Sequence, residues 1–239
     1  MRLAAALVTV AGCAATLPKQ PKLDAAADAA APAAPPAALA HKTHGVPGEI
    51  MEYQVDLRGI TVGRVMVAVG QPGWIEGRHA IIVRSRGTSA GVLSAITELR
   101  WELTSTLDLD TGELIHEVGE SWVKFNGKEE HDSFDREGDG ELNVHAAAGA
   151  LRAWRSRVGE RAKADVTIEH KTFSVEVRDE ARELIGARPA VRYAGIAHEK
   201  YAFTIWISDD ASRVPLRLHT DSKVGAIDIE LIQYDVDAP

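Results

Sequence analysis

The chain is expected to be mainly β, a curled antiparallel sheet or open β-barrel of about ten strands packed around one amphipathic helix. Three observations lead there. From residue 48 onward, apolar and polar residues alternate with a period of two, the mark of half-buried strands. The segments that alternate are joined by short connections rich in glycine and asparagine, too short for the crossovers of a parallel sheet. Only one segment shows a helical period.

Taken in order, the first strand is "IMEYQVDLRG". Met51, Tyr53, Val55 and Leu57 share one face, and Glu52, Gln54, Asp56 and Arg58 share the other. Gly59 breaks the run, and "ITVGRVMVAVG" begins the next strand. The same signature recurs in "HAIIVRSRG", in "LRWELTSTLDL" and in "SWVKFNGKEEHDSF", where Asn126 and Gly127 predict a tight hairpin turn. Past residue 160 come "ADVTIEHKTFSVEVRDE", "ARPAVRYAGIAH", "KYAFTIWISDD", "VPLRLHTDS" and "GAIDIELIQYD". A sheet this wide must curl, split or close.

The helix is expected over Val144 to Val158, with Val144, Ala147, Ala148, Leu151, Trp154 and Val158 as its apolar stripe. Such a stripe must be buried against a sheet face. Arg155 falls near the middle of it. Its guanidinium either escapes at the helix end or is held by a carboxylate or carbonyls of the enclosing sheet, because a buried unpaired charge is too costly.

Ahead of the β domain, the chain opens with Met1, Arg2 and the apolar run "LAAALVTVAG", which ends on Cys13, the only cysteine. One positive charge, a short apolar core and small residues form a secretory signal, and the run is shorter than the roughly 20 apolar residues of a membrane span. "VAGC" resembles the bacterial lipobox, so residues 1–12 are read as a lipoprotein-type signal and Cys13 as the lipidated first residue of the mature protein. Two or three acyl chains hold a protein firmly, since each buried CH₂ contributes about 0.8 kcal/mol. Ala14 follows the cysteine where an aspartate would retain such a protein at the inner membrane. By that resemblance the expected address is the periplasmic face of the outer membrane, with a soluble periplasmic protein as the alternative.

Residues 13–47 are dominated by alanine and proline and hold no apolar period, which reads as a disordered tether. His41 and His44 within it offer at most a weak metal clip and are read as two tether histidines. Residues 48–239 are then a single β-rich domain. The net charge of −8 excludes the clustered basic surface that nucleic acid requires. With its only thiol used as an anchor, the domain has neither a disulfide nor a thiolate metal ligand; no metal and no cofactor are expected.

Motifs that would carry chemistry are incomplete. "GTSAG", Gly87 to Gly91, matches G-x-S-x-G with Ser89 as the would-be nucleophile, and Asp209 and His219 follow in a permissible order. The elbow needs a strand, a strained turn and a helix within an α/β-hydrolase, and the alternating helices are missing. "DREGDGELNVHA" places Asp135, Glu137 and Asp139 at alternate positions before Gly140, but the twelfth position of a calcium loop is Ala146, not a glutamate. It reads as an acidic turn. "HEVGE" and "HEKYA" each lack the second histidine of a zinc helix.

Three longer blocks resemble one family. "GEIMEYQVDLRGITVGRVMVAV", "GALRAWRSRVGE" and "FTIWISDDASRVPLRLHTDSKVGAIDIEL" resemble the domain of unknown function 3108 family of exported bacterial proteins, over nearly all of residues 48–236. Gly48, Glu49, Tyr53, Gly59, Ile60 and Gly63 reproduce its opening strand and hairpin. Arg155 aligns with the arginine that ends its middle helix, and Trp206, Asp209, Arg213, Pro215 and Gly225 with its closing block. The resemblance implies a fold and an exported address, and it brings no activity or catalytic residue. Arg155, Trp154, Trp206 and Arg213 are the expected structural or ligand contacts.

The function expected from these readings is that of a non-enzymatic envelope lipoprotein. It would bind an apolar or amphipathic ligand, or an envelope protein partner, while anchored to the membrane through its N-terminal lipid. A structural or assembly adaptor without a ligand pocket is the alternative, and a serine esterase built on Ser89 comes third.

Overall fold

The computed structural model describes residues 36–39, 45–168, 171–198 and 200–237; Cys13, His41 and His44 lie outside them. Fourteen strands form one sheet: β1 (Ala37–Ala38), β2 (Glu49–Leu57), β3 (Ile60–Val69), β4 (Gly73–Ile75), β5 (Arg78–Ser89), β6 (Thr97–Asp108), β7 (Leu114–Phe125), β8 (Lys128–Glu137), β9 (Arg161–Ile168), β10 (Lys171–Ile185), β11 (Arg188–Ala197), β12 (Tyr201–Ser208), β13 (Pro215–Ser222) and β14 (Gly225–Val236). One helical turn, α1 (Gly91–Ser94), follows β5, and the main helix, α2 (Val144–Ala153), separates β8 from β9. The count exceeds the expected ten or so mainly because β1 and β4 are two- and three-residue strands that alternation cannot announce.

The spatial order is β1-β9-β10-β11-β12-β13-β14-β2-β3-β5-β6-β7-β8, with β4 on β5. Every pairing is antiparallel except that of β1 with β9. The first long strand and the last therefore meet in the middle of the sheet, Val55 opposite Ile229. The sheet does not close into a barrel. Its edge strands are β1, which lies on β9, and β8; no ladder joins β8 to β9, and the isolated bridge of Leu142, in the segment after β8, to Val166 of β9 leaves a seam.

The alternation is borne out in the buried parts of β2 and β3. Met51, Tyr53 and Val65 are buried on one face, as the period of two requires. Asn126 and Gly127 make the expected hairpin with φ of 51° and 75°, and Arg58 and Gly59 make a second with 53° and 77°. Both central residues are left-handed, the geometry that matches strand twist. The segment expected to be tether as far as residue 47 contributes more than expected, because Ala37–Ala38 pair with Ala162–Lys163 and Leu39 is buried.

The helix departs from its expected form. It ends at Ala153 rather than Val158, and the face it buries is His145, Ala146, Gly149, Ala150, Leu151 and Arg152. Val144 and Val158, the ends of the expected stripe, are exposed. Small and polar residues make this buried face, and a search for large apolar side chains passes over them. Asn143 caps the start, its side chain accepting from the Ala146 amide at 2.9 Å. Ala150 and Leu151 pack into a cluster with Val177, Val191, Tyr193 and Ile207, and Ala146 joins another with Ile81, Leu107 and Leu114. The helix thus fills one end of the curl.

Candidate functional site

At the C-terminal end of α2 the helix is latched to the sheet by buried charges. Arg152 donates to both oxygens of Glu49, at 2.5 and 2.9 Å, and to the carbonyls of Arg213 and Ser212. Glu49 is 0% exposed and Arg152 4%. Arg213 completes the latch in the other direction. It donates to the carbonyls of Arg152 and Trp154, satisfying groups that the helix end leaves free, and to the Tyr193 hydroxyl at 2.6 Å. Its own backbone is left-handed, φ 50°, and is held by the Asp210 carboxylate on its amide. Beyond Tyr193, Ser156 hydrogen-bonds both the tyrosine and the fully buried Asp179, which Arg182 pairs at 2.6 Å.

The expected site residues divide accordingly. Trp154 stacks on Tyr193 at 5.4 Å and Arg213 is central to the latch, so both are structural contacts. Arg155 is a correction. It is exposed beyond the helix, with one 3.3 Å bond to the Arg152 carbonyl, and the clasp foreseen for it belongs to Arg152, three residues earlier. Because α2 ends at Ala153, Arg155 sits on a segment already leaving the helix axis. Arg155→Ala is therefore expected to change stability by well under about 1 kcal/mol in urea melts. Trp206 is not brought to this end: it faces away from Ile205 and Ile207 and donates to Glu183, with Arg217 over its ring at 5.4 Å. Ser89 ties strands together, donating to the Thr97 carbonyl and accepting from the Leu99 amide.

Below the helix the curl is hollow. A cavity of about 200 Å³ lies between α2 and the inner faces of β2, β3 and β5, and a second of about 270 Å³ lies at the seam, bounded by Phe134 of β8 and by Thr167 and Ile168 of β9. Ser85, Trp101 and Val144 line both, so the two adjoin. Larger depressions on the outside of the molecule are more polar and shallower. At the hollow two cross-strand pairs set an aromatic ring over a glycine, Trp101 over Gly87 and Phe134 over Gly119, and any Cβ on those glycines would collide with the ring. A ring flat on the neighbouring strand stays clear of the middle, which is the use of glycine in a strand where another group must come close.

Between the cavities and α2 lies a polar floor that sequence reasoning missed. His145 Nε2 is 2.9 Å from Ser85 Oγ and its Nδ1 is 2.7 Å from Ser105 Oγ. Asn143 donates to Ser105 and to Glu117, which also pairs with Arg136 at 2.8 Å. A serine beside a histidine suggests a nucleophile and its base, yet burial lowers the imidazole to about 4, far below the range of an effective base. Ser85 also lies mid-strand, paired to Val67 and Leu103, so its neighbouring amides serve the ladder and not an oxyanion. A signal existed in sequence: Glu49 is in phase with Met51 and Tyr53, and Arg152 stands four residues after Ala148 on the expected stripe.

No family model and no curated protein matches the chain. Among solved structures it is similar to a beta-barrel-like protein of the domain of unknown function DUF1849 from Brucella abortus. That match has a TM-score of 0.57 and 10% identity, and it covers 82% of this chain and 100% of that one. It is also matched by the lipoprotein LppX of Mycobacterium tuberculosis (TM-score 0.32, 11% identity, 81% and 89% covered) and by a protein of YmcC-like fold from Bacteroides fragilis (TM-score 0.37, 10% identity, 82% and 99% covered). At such identity the first likeness is one of fold, the barrel-like curl.

Proposed function

We propose that this protein is a non-enzymatic carrier of the bacterial envelope, which holds an apolar or amphipathic ligand in the lumen of its curled sheet. The observation that supports the reading is the pair of adjoining, apolar-lined cavities under α2 and at the seam, together of the size of a small-molecule site. A filled interior would have favoured an adaptor without a pocket. The seam supplies a route in, since β8 and β9 share no ladder there. The exported, lipid-anchored address at the outer membrane rests on the N-terminal signal and Cys13, and the resemblance to the domain of unknown function 3108 family belongs to the same proposal. Among the described residues no helix is long and apolar enough to cross a membrane.

The test is binding of N-phenylnaphthylamine, a neutral apolar fluorophore, to the full chain. Wild type is expected to enhance its emission saturably. Leu218→Trp, which fills the seam cavity from β13, is expected to weaken binding at least about tenfold, the scale of one apolar contact surface lost to steric filling. No enhancement by wild type, or equal affinity in the filled variant, removes the carrier reading.

A further inference from the structure

Ser85 lines both cavities, between the one under α2 and the one at the seam. It is 5% exposed, and its hydroxyl is bonded to His145 Nε2. A hydroxyl offers one donor and two acceptor positions, so capacity remains toward the lumen. The cations around it are already paired. At the seam cavity Glu117 is the carboxylate on the inner face, since Glu102 and Glu120 alternate onto the outer face with Arg86, and Arg136 pairs with it; on the other cavity Arg152 holds both oxygens of Glu49.

Resting on the carrier reading above, we infer that the ligand's inner end is a neutral hydroxyl seated on Ser85, and that the lumen turns carboxylates away. A carboxylate in that position would lose its water beside the buried Glu117 with no free cation to replace it. An ammonium fares little better at the inner end, because Glu117 is already engaged by Arg136 and Asn143 and burial keeps His145 neutral. A hydroxyl exchanges one hydrogen bond with Ser85 and leaves no charge behind.

The experiment is calorimetric titration of the full chain with decyltrimethylammonium and with its ω-hydroxy, ω-amino and ω-carboxy derivatives. The quaternary head common to all four keeps its charge in water at the seam, so the series varies only the end that goes in. The ω-hydroxy compound is expected to bind most tightly, and the ω-carboxy compound about a hundredfold more weakly or not at all. Ser85→Ala is expected to cost the ω-hydroxy compound about five- to tenfold more than it costs the parent. Should that variant not fold, the wild-type order of the four ligands decides the matter. Equal or tighter binding of the ω-amino or ω-carboxy compound, or equal effects of Ser85→Ala on parent and ω-hydroxy ligand, overturns the Ser85 assignment alone. Failure of all four to bind overturns the carrier reading and this inference with it.

Discussion

Arg152→Ala is expected to lower the unfolding free energy by roughly 3 to 5 kcal/mol, because it leaves a carboxylate buried without its partner. Glu49 is fully buried, and both its oxygens face the guanidinium. Besides Arg152, its side chain receives only a long 3.4 Å bond from the Tyr234 hydroxyl. The same change frees the carbonyls of Ser212 and Arg213, and so loosens the turn that carries Arg213 back onto the helix end. The double variant Glu49→Met with Arg152→Met removes both charges and is expected to recover most of the loss, as apolar replacements of buried ion pairs commonly do. Urea melts of the full chain, comparing midpoints at constant slope, read both effects. A loss below about 1 kcal/mol for the single variant would mean that water reaches Glu49 and that the latch is not buried.

What could be read from sequence and what could not differ in range. Strand positions depend on neighbours two residues apart, and the Asn126–Gly127 turn on two adjacent residues, so both were legible. The meeting of β2 with β14 and the seam between β8 and β9 depend on how much the sheet curls, which no local period encodes. Register decides the rest. Whether Trp101 meets Gly87, or Phe134 meets Gly119, follows from the bulges and turn lengths that set cross-strand partners, and with them the existence of the lumen. The clasp was legible in kind and misplaced in position. The helical period runs on to Val158, five residues past the end of the helix, and it marks large apolar side chains, whereas His145 and Arg152 hold the buried face to the sheet.

Lowering the pH is expected to destabilise the protein through His145, by about 3 kcal/mol between roughly pH 6.5 and 4. Burial is the cause. The imidazole lies between Ser85 and Ser105 with no carboxylate bonded to it, and its pKa falls from 6.5 to about 4. Between those values the unfolded chain binds a proton that the folded chain refuses, so stability drops as the pH falls and the loss is complete near 4. Above about 6.5 the group is neutral in both states and adds no pH dependence. Glu117 and Arg136, the nearest charged groups of the floor, pair with each other and do not offset a proton on His145. His145→Gln keeps a neutral hydrogen-bonding side chain in the same place and is expected to be less stable than wild type at neutral pH, but to close that gap by about 3 kcal/mol on acidification. Carboxylates titrate alike in both proteins, so the difference between their urea midpoints from pH 7 to 4 isolates the histidine. Parallel curves would show that the imidazole takes up its proton in the folded state, and the floor beneath the lumen would then be wet.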